Sequence, residues 1–266
     1  MFLPECPTGR RWRLPGGLRS PRLAALPVLL ACAAALATAL PFAFTHVGSF
    51  RHMSHTGDTA GQARLASLPQ QPGTWGLGAT AGLKGEIVQL DGRLLVSPGS
   101  DARGALRPPQ PDEEALLYAS ARVQRWVDVP VPRDMEQPQW EVFVRDEAAA
   151  RGLPPDEPFV FRVEGRFPRM RWHVVTGDAP AGQHGAAPGH SGGGGHANAQ
   201  AGMRVFHSPG TTGQLVGVYS GEALEGVVSH PGERFHLHYV DAAASVSGHV
   251  DGYAVARGAV LKLPLP

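Results

Sequence analysis

The stretch RFHLHYVDAAASVSGHV, residues 234–250, sets two histidines one residue apart and a third eleven positions further on. Extended backbone points successive side chains to opposite faces, so a strand over Phe235–Val240 sends His236 and His238 out of the same face. The residues from Asp241 to Ser247 are small and polar enough to turn, and Gly248 to Tyr253 alternates again. An antiparallel hairpin centred near Ala243 and Ala244 then sets His238 opposite His249. Three imidazoles converge on one point, the ligand number of a catalytic Zn²⁺ site that keeps a fourth position open. A His-x-His pair alone is more often the polar face of a strand, and it is the third histidine in register that favours a metal site.

Upstream, Ile87 to Val96 is divided by Asp91-Gly92, a strong hairpin signal because both turn positions accept positive φ. On that hairpin Glu86, Val88 and Leu90 share one face. A carboxylate on an apolar face is costly unless it is paired or bound to a metal, which makes Glu86 a second candidate for the site; the plainer alternative is a frayed strand end in water. Between the two hairpins, ALLYASARVQRWVDVPVP predicts a strand around Val123 to Val131 in a loop-rich region. Trp140, Phe143 and Val144 at helical spacing predict a helix that Gly152, Pro154 and Pro155 end. FVFRVEGRFPRMRWHVV reads as a strand pair, GQLVGVYS as a strand and GEALEG as a short helix or turn. Residues 182–202 form a Gly/His-rich insert with His184, His190 and His196, of a composition that predicts a disordered solvent loop.

Five arginines face one glutamate in the first 45 residues, a formal +4 in a chain whose total is +1, so the remainder stands at −3. A slightly acidic body argues against nucleic acid as a partner. The arginines precede an uninterrupted apolar run over residues 23–44, which reads as a signal peptide or a membrane anchor within residues 1–45 and places the body, residues 46–266, in the periplasm or outside the cell. Both cysteines, Cys6 and Cys32, fall in this leader, so the body has no disulfide and depends on its core. The expected fold class is α+β: two facing β-rich lobes of mixed or antiparallel sheet with few helices and the metal site between them.

GLGATAGLKGEIVQLDG (76–92), VEGRFPRMRWHVV (163–175), GQLVGVYS (213–220) and FHLHYVDAAASVSGHV (235–250) resemble, in order and spacing, the alpha-acetolactate decarboxylase family. The resemblance runs over roughly residues 47 to 260, and the H-x-H-x10-H spacing is its most specific element. It implies a Zn²⁺ between two lobes, with His236, His238 and His249 as ligands and Glu86 as the family's glutamate at the site. It implies decarboxylation of a small-molecule substrate, 2-acetolactate or a related 2-hydroxy-3-keto acid, to acetoin and CO₂, with the metal as Lewis acid and no organic cofactor.

Two positions depart from the family. His173 stands where the family has a substrate-orienting arginine, and no acidic residue follows Asp251 to match a second, C-terminal glutamate. Asp251 is expected opposite His236 across the hairpin, as a partner of that ligand. The alternative function is a non-catalytic metal- or ligand-binding protein that retains the fold without the arginine and the second glutamate. A cupin-like reading of HLHYVD, with Asp241 as the acid, fits less well because the third histidine comes too soon and the glycine spacing is wrong.

Overall fold

A computed structural model describes residues 42–177 and 202–265. The leader up to residue 41, both cysteines and the Gly/His-rich residues 182–201 lie outside the described residues. The first sheet takes its strands from the N-terminal half: β1 (Phe44–Val47), β2 (Ala63–Arg64), β3 (Thr74–Thr80), β4 (Gly85–Leu90), β5 (Arg93–Pro98) and β6 (Glu114–Arg122). They run in the order β1-β6-β3-β4-β5, with β2 also on β6. The second sheet holds β7 (Trp126–Pro130), β8 (Met135–Glu136), β9 (Phe159–Phe167), β10 (Arg169–Val175), β11 (Met203–His207), β12 (Thr211–Tyr219), β13 (Phe235–Asp241), β14 (Ser247–Val255) and β15 (Val260–Pro264). Its order is β11-β10-β14-β13-β12-β9-β15-β7, with β8 on β14. Every pairing between these strands is antiparallel. Two α-helices complete the described residues, α1 (Phe50–Thr56) and α2 (Gln137–Ala149).

The first hairpin forms as its turn residues require. Asp91 and Gly92 have φ of 50° and 84°, the left-handed pair of a type I′ turn, and glycine meets the second value without strain. Helix α2 starts where the Gln139 side chain accepts the Glu136 N–H at 3.2 Å, and it buries Trp140, Val144 and Ala148. Gly152 follows at φ 80°, as the helix-stop reading expected.

Two expectations about strands need correction. The strand expected around Val123 to Val131 is β7, but the apolar residues ahead of it form a further strand, β6, in the other sheet. Strand β6 is buried from Ala115 to Ala121. Covered on both faces, it shows an apolar run with none of the alternation that marks a half-exposed strand. The second correction concerns β9 and β10, which are consecutive but not paired. Strand β9 lies between β12 and β15, whereas β10 lies between β11 and β14. Pro168 separates them in sequence, and three strands of the sheet, β14, β13 and β12, lie between them in space.

One core joins the two sheets: Leu77, Val88 and Leu95 of the first pack with Val160, Phe161, Leu215 and Val218 of the second. Arg162 of β9 adds a polar tie, its guanidinium 3.6 Å from the ring centroid of Trp75 on β3. The outer face of the first sheet has a smaller core of its own around Leu65, Ile87, Val96 and Tyr118.

The folded body also begins earlier than the leader reading placed it. Phe42 is buried in the main core, and β1 starts at Phe44 and pairs with β6. Among the described residues no helix is long and apolar enough to cross a membrane. A chain starting at residue 46 would lack Phe42 and half of β1. Relative to one starting at Ala39, it is expected to lose about 3–5 kcal/mol in urea unfolding, the range for deleting a buried aromatic side chain; equal midpoints would show that Phe42 is not part of the core.

Candidate metal centre

The late hairpin forms in the expected register. His238 pairs with His249, Tyr239 with Gly248 and Val240 with Ser247. The next strand extends the row, since His173 on β10 pairs with His249 on β14. Residues opposite one another on neighbouring strands share a face, so His238, His249 and His173 stand side by side across three strands. His236, two residues before His238, joins them on that face. Gly248 is what lets β10 and β14 close here, because a Cβ at that position would lie 2.3 Å from the His173 carbonyl oxygen.

Ligand atoms of His236, His238 and His249 all lie within 4.8 Å of one another. His236 and His238 are buried and His249 is half-buried, which puts His249 at the open side. His236 Nδ1 is 2.9 Å from the Val228 carbonyl oxygen, so that nitrogen carries the proton and Nε2 keeps its lone pair. Both ring nitrogens of His238 are buried and neither makes a hydrogen bond of good geometry, although the Ile87 backbone approaches the ring. Such poorly satisfied atoms are costly unless something beyond the protein's own atoms binds them, and an imidazole lone pair inside a three-histidine group is suited to a metal ion.

Glu86 reaches this face from the other sheet. Its Oε1 accepts the Val175 N–H at 3.2 Å, and its Oε2 lies 3.6 Å from His238 Nε2. Two donor atoms on one tetrahedral ion stand roughly 3.3 Å apart when each bond is about 2.0–2.1 Å. The donor set therefore fits a metal ion, with three imidazoles and one carboxylate oxygen. Glu86 is buried, which decides against the frayed-end alternative.

Burial sets the charge states. It pushes the Glu86 carboxyl up to about 7, opposed by the charge of His173 and by the Val175 hydrogen bond. Burial, with His230 and His173 adding to it, brings His236 down to about 3. His238 and His249 are held well below the usual imidazole value, first by burial and then by His236. His173 goes the other way: burial opposes its charge, but the hydrogen bond and charge of Asp251, with a further contribution from Glu86, outweigh it.

Asp251 is not where the sequence register placed it. Strands β10 and β14 shift register between Arg171 and Trp172: Trp172 faces Val250, Arg171 faces Gly252, and Asp251 is the extra residue. A bulge re-aims the side chain it carries. The Asp251 carboxylate is 2.7 Å from His173 Nδ1, while His236 uses the Val228 carbonyl instead. Asp241, the acid of the cupin-like reading, is occupied by its own turn, accepting the backbone N–H of Ser245 at 2.6 Å and of Val246 at 3.0 Å.

One further imidazole escaped sequence reasoning. His230, in the turn-rich segment between β12 and β13, has its ring centroid 5.5 Å from that of His249 and 6.5 Å from that of His236. Burial and His173 lower its pKa to about 4. The segment GEALEGVVSHPGER lacks periodicity, so nothing in its pattern aims His230 at the hairpin.

The fold and the site define an antiparallel two-sheet α+β protein with a buried three-histidine centre suited to a metal ion. The chain belongs to the alpha-acetolactate decarboxylase family, whose model matches residues 52–263, and that family comprises carboxy-lyases. No curated protein sequence matches it. Among solved structures, acetolactate decarboxylase from Bacillus subtilis subspecies spizizenii superposes with a TM-score of 0.62 at 17% identity, covering 84% of this chain and 86% of that one. Alpha-acetolactate decarboxylase from Bacillus subtilis strain 168 gives 0.60 at 17% identity with the same coverage. A Staphylococcus aureus protein of unknown function, similar to alpha-acetolactate decarboxylase, gives 0.57 at 17%, covering 83% and 84%. At this identity these likenesses establish the fold.

The buried neutral imidazoles have a consequence for the metal-free protein. Unfolded histidines take up protons below a pH of about 6.5, whereas His230, His236, His238 and His249 in the fold do so only at lower pH. The unfolded state therefore binds more protons in that window, and stability is lost as pH falls from about 6.5 toward about 3, the folded value of His236. His173 and Glu86, both raised, act in the opposite direction, two groups against four. The urea midpoint of chelator-treated protein is expected to drop between about pH 7 and pH 5. An unchanged or rising midpoint would contradict the burial of neutral rings.

Proposed function

We propose that this chain is an exported zinc-dependent decarboxylase that converts 2-acetolactate, or a related 2-hydroxy-3-keto acid, to acetoin and CO₂. The observation that carries this reading is the convergence of His236, His238 and His249 on one point opposite the buried Glu86 of the other sheet. The three imidazoles are the atoms that would hold the zinc, with Glu86 Oε2 beside them. Bound there, zinc supplies Lewis-acid stabilisation of the negative charge that the substrate's ketone oxygen takes on as CO₂ departs.

The protein's own groups have separable tasks. The Val228 carbonyl fixes the His236 tautomer, so a lone pair is ready without a change of proton position. Buried walls, including His238 and Glu86, exclude water and raise the effect of every charge in the site. Losing CO₂ from the substrate carboxylate leaves an electron pair on carbon that takes up one proton, giving neutral acetoin. Glu86 is suited to hold that proton at Oε2, since Oε1 is committed to the Val175 N–H.

His173 bears on the alternative, a binding protein without catalysis. Asp251 favours its charged form, so the position where the family carries arginine holds an imidazole inclined toward positive charge beside His249. A cation there orients a substrate carboxylate, which supports the catalytic reading over the binding-only one. Imidazolium lacks the two-pronged donor geometry of guanidinium, so positioning should be weaker than with arginine. Export rests on the arginine-flanked apolar run over residues 23–44.

Purified full-length protein loaded with zinc is expected to form acetoin from 2-acetolactate. Single alanine substitutions at His236, His238 or His249 should each remove the bound zinc and the activity together. Retained zinc in all three variants would remove the site, and zinc-loaded wild-type protein that makes no acetoin would leave the binding-only alternative. For His173→Ala, loss of an orienting hydrogen bond to a charged group predicts a fall in kcat/KM of about tenfold or more with zinc content unchanged.

A further inference from the structure

We propose that His230 is a substrate-positioning residue of this site, offering its buried and unpartnered Nδ1 to an oxygen of the bound 2-hydroxy-3-keto acid. The inference rests on the decarboxylase reading above and adds to it a residue outside the matching hairpins. Three observations carry it. The first is placement: the His230 ring stands edge-on to His249, at 89° and 5.5 Å, on the open side of the three-histidine group. The second is the orphaned atom. Nδ1 is buried with no hydrogen-bond partner, which a fold tolerates where a ligand supplies the partner.

The third is bracing. Phe50 of α1 packs on the His230 ring at 4.3 Å and on that of His236 at 5.3 Å. Helix α1 is tied to the same segment by the Phe50 N–H on the Val227 carbonyl at 3.1 Å, the Arg51 N–H on the Gly226 carbonyl at 2.7 Å, and the Arg51 guanidinium on the Glu225 carbonyl at 2.8 Å. The Glu233 N–H closes the turn on the His230 carbonyl at 3.0 Å. One segment thus fixes a ligand histidine through Val228 and holds a second imidazole rigidly two residues later. A ring held this firmly with a free nitrogen is pre-organised to bind, because little motion remains to be lost.

The test compares zinc-loaded wild type, His230→Ala and His230→Gln in the full chain. The probe is 2,3-dihydroxy-2-methylbutanoate, which has a carbinol in place of the ketone and so no electron sink for decarboxylation. Its Kd is measured by calorimetry, alongside zinc content and the KM and kcat for 2-acetolactate. His230→Ala is expected to keep its zinc and to weaken both the analogue Kd and the KM by about three- to tenfold, the range for one hydrogen bond, with a smaller change in kcat. His230→Gln, whose amide can replace the imidazole as donor, should recover most of the loss. Unchanged Kd and KM in His230→Ala overturn the proposal. So does a loss that glutamine fails to recover, or one that follows zinc content, since either would make His230 a buttress for Phe50 and His236. A wild-type protein that neither binds the analogue nor forms acetoin sinks the decarboxylase reading and this inference together, and is recognised by the absence of signal before any substitution.

Discussion

Glu86 is the point on which the site depends. It stands on the first sheet, yet both its carboxylate oxygens are directed at the second, one bound to the Val175 N–H and the other facing His238. A carboxylate taken out of water is costly, and burial accordingly drives its proton affinity up. The cost is tolerable only where a cation, a proton or a metal faces it. The polar joint therefore does two things at once: it holds the ends of two sheets in register, and it sets a proton-holding group beside three lone-pair donors.

The rest of the fold keeps that joint dry and aligned. Away from it the sheets meet through apolar side chains, with Arg162 over Trp75 as a second cross-sheet tie. Close packing transmits displacement, so a shift of the sheets would move Glu86 relative to both His238 and Val175. Antiparallel pairing supplies the row His238, His249 and His173, three neighbouring strands each offering one imidazole at the same level. Rigid strands place ligands more closely than loops do.

The bulge at Asp251 gives this chain its own character. It takes one carboxylate out of the ladder and directs it to His173, which favours the charged form of an imidazole standing where the resemblance expects an arginine. The segment from Ser220 to Arg234 adds His230 and the carbonyl of Val228 on the side toward α1. His230 lies outside both hairpins, and with His173 it flanks the half-buried His249, the ligand at the open side.

Local sequence alone determined the two hairpins. Asp91-Gly92 demands a left-handed turn, and the spacing of His236, His238 and His249 with a small polar turn between them leaves one register that puts all three on one face. The stop of α2 at Gly152 was equally local, as was the singling out of Glu86 by a charge on an apolar strand face. Tertiary structure decided what local pattern could not express. Strand β6 lost its alternation because both its faces are covered, and β9 and β10 separated because each pairs with strands far from it in the chain. Asp251 moved from His236 to His173 because a bulge shifts register without any mark that periodicity can show. Sequence patterns report which residues share a face of one element. Which faces meet, and which strand lies next to which, follows from packing and pairing between segments far apart in the chain.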